Sequence, residues 1–184
     1  MKIMNNLLIL IMLLINIISI ILNLTMNYEV NILVCFSLSI IIVIPRILKK
    51  KLNINDVTEF IFLGFILLAG ELGSVLKFYD LISWYDSFTH FLSGTLTGYI
   101  ALLILKQTKC YKNKFMNILF IMSLVLAVAA CWEIFEFSAD SILGNDAQRV
   151  LETGVTDTMK DIICALLGGT LFLIGCLYNK KIDV

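Results

Sequence analysis

Six stretches of the chain, at about residues 7–24, 30–48, 57–76, 88–105, 115–137 and 162–178, are apolar along their length and separated by short polar segments. A half-buried strand would alternate apolar and polar residues, and a longer uninterrupted run favours a helix. A hydrocarbon core of about 30 Å takes roughly 20 helical residues to cross. Open sheets cannot cross it, because their edge N–H and C=O groups find no partner in lipid. The pattern predicts an all-α fold: a polytopic transmembrane helical bundle of six spans, forming a single integral membrane domain over residues 1–184. Pro45-Arg46 closes the second run, with the arginine able to reach the interface. The first run is too long for the apolar region of a secretory leader, and no small-residue cleavage site follows it, so it reads as a retained helix.

The basic residues sort by loop. Lys2, the group Arg46 to Lys51, the group Lys106 to Lys114, and Lys180 and Lys181 supply 11 of the 14 bases; Lys77, Arg149 and Lys160 supply the other three. In short loops the base-rich side is cytoplasmic. An even number of spans then puts the N- and C-termini together in the cytoplasm of a multi-pass protein of the cell (plasma) membrane. Tyr79, Trp84 and Tyr85 fall where an outer aromatic belt belongs, and Tyr111 and Tyr178 where an inner one does. Gly94-x-x-x-Gly98 and Gly168-Gly169 would let helices approach closely.

Composition agrees: 60% of the 184 residues are hydrophobic and 15% charged, with a mean hydropathy of +0.96. A soluble domain carries nearer a quarter charged residues. The five cysteines have no metal-ligand spacing and read as small packing residues, with a Cys131–Cys164 pairing conceivable. No phosphate loop, nucleophile triad or nucleic-acid patch is present, and no nucleic-acid partner is expected. Oligomeric state is not legible.

The acids run opposite to the bases. Asp56, Glu59 and Asp183 lie inside, and the remaining 11 of the 14 lie at or near the outer face. Acids contribute little to topology, so this bias needs another cause. Asp86 and His90 are four residues apart and share a helix face; Glu133, Glu136 and Asp140 fall at i, i+3 and i+7; Asp157 and Asp161 are again four apart; Glu71 sits two turns inside Lys77. Residues from spans three to six would converge in an outward pocket. Asp86, Asp157 and Asp161 sit near helix N-termini, where capping alone can account for a carboxylate. Glu133, Glu136 and Asp140 sit at a C-terminal end, where the helix dipole opposes them and a countercharge, a proton or a metal is required. A carboxylate one turn from His90 would orient the imidazole and fix its tautomer, serving a metal ligand or a general base.

Trp84-Tyr-Asp86-Ser-Phe-Thr-His90-Phe-Leu-Ser-Gly94, Trp132-Glu133-Ile-Phe-Glu136-Phe and Asp157-Thr-Met-Lys-Asp161, followed by Gly168-Gly169, resemble the YjdF-type family of bacterial inner-membrane proteins. A more distant likeness is to VanZ-like proteins, which share a D-x-x-x-H-F segment and a later acidic helix. The resemblance covers residues 57–178 and implies a membrane fold and location more than a reaction; the VanZ likeness implies envelope physiology. The family's Gln-Gly-Asp-type stretch is replaced here by Leu151-Glu-Thr-Gly154.

Three readings remain open. In the first, Asp86, His90, Glu133, Glu136, Asp157 and Asp161 hold Mg²⁺, Mn²⁺ or Zn²⁺, with His90, Glu133 and Glu136 catalytic toward a lipid or envelope substrate. In the second, the protein is a non-enzymatic envelope accessory protein, with Arg149 and the Ser141–Thr156 connection binding a lipid or partner or lidding the pocket. In the third, the acids relay cations or protons in a transporter, with Glu59 on the inner side.

Overall fold

The computed structural model describes residues 1–26, 32–52, 54–109, 113–144, 148 and 153–179. Among the described residues the chain is helical without strands, and six helical segments are long and apolar enough to cross a membrane: Lys2–Met26, Ile32–Lys49, Asp56–Val75, Tyr85–Thr108, Lys114–Ile142 and Thr156–Tyr178. These are the six expected spans. The chain groups into two compact units, Met1–Tyr85 and Asp86–Val184.

The first unit contains α1 (Lys2–Met26), α2 (Ile32–Ile41), α3 (Ile44–Leu52), α4 (Asp56–Ile66) and the short α5 (Phe78–Leu81). The second apolar run is broken into α2 and α3 because Pro45 has no N–H, and its ring clashes with the carbonyl four residues back, that of Ile41. Asn55 caps α4, its side-chain oxygen accepting the Thr58 N–H at 2.8 Å. From Leu67 to Val75 the third span continues as a π-helix. Met12, Ile42 and Leu63 form one buried cluster, and Cys35, Leu38 and Val75 a second.

Ion pairing in this unit departs from simple interfacial anchoring. Arg46 Nε and Lys49 Nζ, one turn apart on α3, both pair with the buried Glu59 of α4, and Lys49 also reaches Asp56. Tyr85 leaves the aromatic belt: it is buried, and its hydroxyl donates to the Leu68 carbonyl at 2.9 Å. Trp84 is 60% exposed, as a belt residue would be.

The second unit contains α6 (Tyr85–Thr108, taken from Asp86), α7 (Lys114–Leu143) and α8 (Thr156–Tyr178). Ala101, Leu102, Leu105, Ile121, Leu173 and Cys176 form its core. The expected close approach is between α6 and α8. A methyl group on Gly94 would collide with the Ala165 carbonyl, and one on Gly168 with the Phe91 carbonyl. Thr95 Oγ1 lies 3.1 Å from the Phe91 carbonyl and 3.2 Å from that of Gly168, and donates its single proton across this seam or along its own helix.

Two boundaries move furthest from the apolar pattern. Helix α7 runs past Phe137 to Leu143 and ends where Gly144, at φ +69°, supplies the left-handed residue that stops it. Helix α8 starts at Thr156, six residues before the apolar run, because its first turns are polar. Cys131 and Cys164 are both free. Cys110, Tyr111 and residues 145–147 and 149–152 of the Ser141–Thr156 connection, Arg149 among them, with the roles expected of them, lie outside the described residues.

Candidate metal centre

The second unit brings acids from three helices to one imidazole. Asp86 and His90 follow each other by one turn of α6, with His90 buried and Asp86 half-buried. His90 Nε2 lies 3.6 Å from Asp86 Oδ1 and 3.9 Å from Glu133 Oε1 of α7. Both separations are too long for hydrogen bonds. Two donors on one ion, each about 2.0–2.2 Å from it, stand roughly 3–3.5 Å apart, so a contraction of a few tenths of an ångström would seat a metal here.

Two triads offer ligand atoms that all lie within 4.8 Å of one another: Asp86, His90 and Asp161, and His90, Glu133 and Glu136. His90 belongs to both. Glu133 and Asp161 are buried, and Glu133 Oε1 and Asp161 Oδ1 have no hydrogen-bond partner. Buried carboxylate oxygens left without a donor are costly, so each calls for a proton or a cation. Asp161 lies beyond the first turn of α8, because the helix starts earlier than its apolar run does. Capping therefore does not account for it.

The remaining acids are held differently. Glu136 is half-buried, and its Oε1 accepts the Trp132 indole N–H at 2.8 Å. Asp157 is buried in the first turn of α8 with Lys160 Nζ 3.5 Å away, and neither triad includes it. Asp140 Oδ2 accepts the backbone N–H of Gln148 at 3.0 Å. Glu71 is engaged inside the first unit by Asn16.

Gln148 is the residue that sequence reasoning missed. It is buried, and its Nε2 donates to the Glu133 carbonyl at 2.9 Å and approaches Glu133 Oε2 at 3.4 Å. A lone amide in a polar connection has no apolar background to stand out against, so nothing in the pattern marked it. Glu133, Ile134, Phe137, Gln148, Val155 and Thr158 line a cavity of about 380 Å³. Its apolar lining residues Ile134 and Phe137 on α7 and Val155 just before α8 are all exposed.

Comparison with known proteins places the chain. The family described as "Predicted membrane protein (DUF2238)" matches residues 4–181. A Thermotoga maritima protein described as "Uncharacterized protein" is 29% identical over 132 residues, 70% of this chain and 66% of that one. The Escherichia coli "Inner membrane protein YjdF" is 31% identical over 86 residues, 46% of this chain and 41% of that protein. The chain thus spans less than two thirds of the length of either relative. No solved structure matches it. With nearly its whole length matched and six membrane-spanning helices present, the chain belongs to the DUF2238 family of predicted membrane proteins.

Proposed function

We propose that this multi-pass protein of the cell membrane is a metal-dependent enzyme whose second helical unit binds one divalent cation and acts on an ester or phosphate of a lipid or envelope substrate. The observation that carries the reading is the placement of His90 Nε2, 3.6 and 3.9 Å from carboxylate oxygens on two different helices, beside buried oxygens of Glu133 and Asp161 that have no donor. Carboxylate oxygens with one imidazole suit Mg²⁺, Mn²⁺ or Zn²⁺. Such an ion polarises a carbonyl or phosphoryl oxygen and makes a bound water a nucleophile near neutral pH.

In this reading Asp86, His90, Glu133 and Asp161 are the ligands. Glu136, half-buried and oriented by Trp132, accepts the proton of the attacking water. The cavity beside Glu133, with an exposed apolar wall, favours a substrate with an acyl chain. The base-rich loops lie in the cytoplasm, which turns the acids outward. The transporter reading is less favoured, because Glu59, the carboxylate it needs on the inner side, is taken by Arg46 and Lys49.

Elemental analysis of detergent-purified protein tests the reading. Wild type should carry about one equivalent of divalent metal, and His90→Ala and Glu133→Ala should lose it. Turnover of lipid-linked ester or phosphate probes should disappear with the metal. Wild type that neither carries nor takes up Mg²⁺, Mn²⁺ or Zn²⁺ would overturn it.

A further inference from the structure

Helix α1 crosses its unit with a buried face that includes Asn5, Met12, Asn16 and Ser19. Two of these residues meet a glutamate on the third span. Asn5 Nδ2 donates to Glu59 Oε2 at 3.0 Å, and Asn16 Nδ2 to Glu71 Oε1 at 3.1 Å. Counting from Asn5 to Asn16 gives eleven residues, and from Glu59 to Glu71 twelve. Eleven residues make about three turns of α-helix and return to the same face, whereas twelve overshoot by about a third of a turn. The π-helical stretch Leu67–Val75, with its wider turn, takes up that excess and brings Glu71 back to face Asn16.

The two couples differ in charge. Glu59 is matched by Arg46 and Lys49. Among the described residues no Lys, Arg or His pairs with Glu71. Both Asn16 and Glu71 are fully buried, and the remaining oxygen of each, Asn16 Oδ1 and Glu71 Oε2, has no hydrogen-bond donor. A lone carboxylate in that position is strongly disfavoured. A proton or cation beside the couple would answer the uncompensated carboxylate, and one shared by Glu71 Oε2 and Asn16 Oδ1 would meet both oxygens. Ser39 Oγ accepts from Asn16 Nδ2 at 3.3 Å and so holds the amide in this orientation, and the thiol of Cys35 is the neighbouring titratable group.

We propose that Asn16 and Glu71 form a binding site for one monovalent cation, a proton or an alkali-metal ion, within the first helical unit. It is independent of the metal centre, and neither proposal fails with the other. The test uses the full chain in detergent as wild type, Glu71→Gln and Glu71→Ala. The neutral amide of Glu71→Gln offers an N–H to Asn16 Oδ1, so this variant should keep the thermal stability of wild type while Glu71→Ala loses it. For a proton, wild type should show an infrared band of an un-ionised carboxylic acid that shifts in D₂O and is missing from Glu71→Gln. For an alkali ion, sodium or potassium chloride should raise the Tm of wild type relative to choline chloride, with no such rise in Glu71→Gln. Neither signature in wild type, or a Glu71→Gln protein as unstable as Glu71→Ala, would overturn the proposal.

Discussion

His90 on α6 and Glu133 on α7 approach to 3.9 Å, Nε2 to Oε1, and that glutamate oxygen is buried with no hydrogen-bond donor. A proton or a cation between the two groups would join them. If that is a metal, the two residues act as one unit. His90→Ala or Glu133→Ala alone should each cost more than the roughly 10–100-fold in metal affinity expected of an outer-shell partner. The double variant should lose little more than either single one, because the ion is already gone. Asp157→Asn, whose carboxylate lies beside Lys160, should stay within that outer-shell range. Competition with a chelating dye would measure all four proteins.

Gly94 and Gly168 face each other's helix so closely that a methyl on either would land on a backbone carbonyl, and carbonyls cannot swing aside as side chains can. Alanine has the better helix propensity by up to about 1 kcal/mol, yet overpacking of this kind costs about 1–3 kcal/mol or more. The clash should win. Gly94→Ala and Gly168→Ala should lower the Tm, while Gly175→Ala on the same α8, with nothing within 4 Å of the added carbon, should leave it unchanged or raise it. Thermal unfolding in one detergent separates the three.

These glycines were legible because small residues in an apolar run have few other uses. The spans were legible for a related reason: lipid demands length and apolarity, and both are local properties of the chain. Asp86, His90, Glu133, Glu136 and Asp161 stood out as polar residues against an apolar background. Asn5 and Asn16 passed unnoticed because an uncharged first span offers no carboxylate to draw attention, and their meaning depends on Glu59 and Glu71, more than fifty residues away. The π-helical stretch likewise brings Glu71 to Asn16 on α1, a partner that no window on the third span contains.

Glu59 is fully buried and tied to Arg46, Lys49 and Asn5. Removing one partner of a buried pair costs about 3–5 kcal/mol, because the other charge stays behind unpaired. Arg46 and Lys49 are 29% and 22% exposed and can turn partly to water, which reduces the loss. Glu59→Ala should therefore destabilise by about 2–3 kcal/mol. Lys49→Ala should do less harm, since Arg46 still neutralises the carboxylate. Chemical denaturation in mixed micelles would rank them, and equal losses would mean that Lys49 rather than Arg46 carries the pairing.

Gln148 spans two neighbours with one side chain, its amide N–H groups serving the carbonyl and the carboxylate of Glu133 while its backbone N–H serves Asp140. The first contact gives the Glu133 carbonyl, already within the hydrogen-bond ladder of α7, a second donor, and the second steadies a proposed ligand. Gln148→Ala should cost about 0.5–1.5 kcal/mol, the usual net worth of a hydrogen bond. It should also weaken metal binding by about 10-fold, as loss of an outer-shell partner does. Gln148→Glu has nearly the same shape, but it sets a second carboxylate against Glu133 in place of a donor, so it should destabilise metal-free protein more than Gln148→Ala does. Added Mg²⁺, Mn²⁺ or Zn²⁺ should then recover more stability in Gln148→Glu than in Gln148→Ala, since a cation screens the new repulsion and cannot restore a missing N–H. Unfolding curves with and without metal decide it. If the metal rescued both variants equally, Gln148 would be a loop anchor with no bearing on the centre.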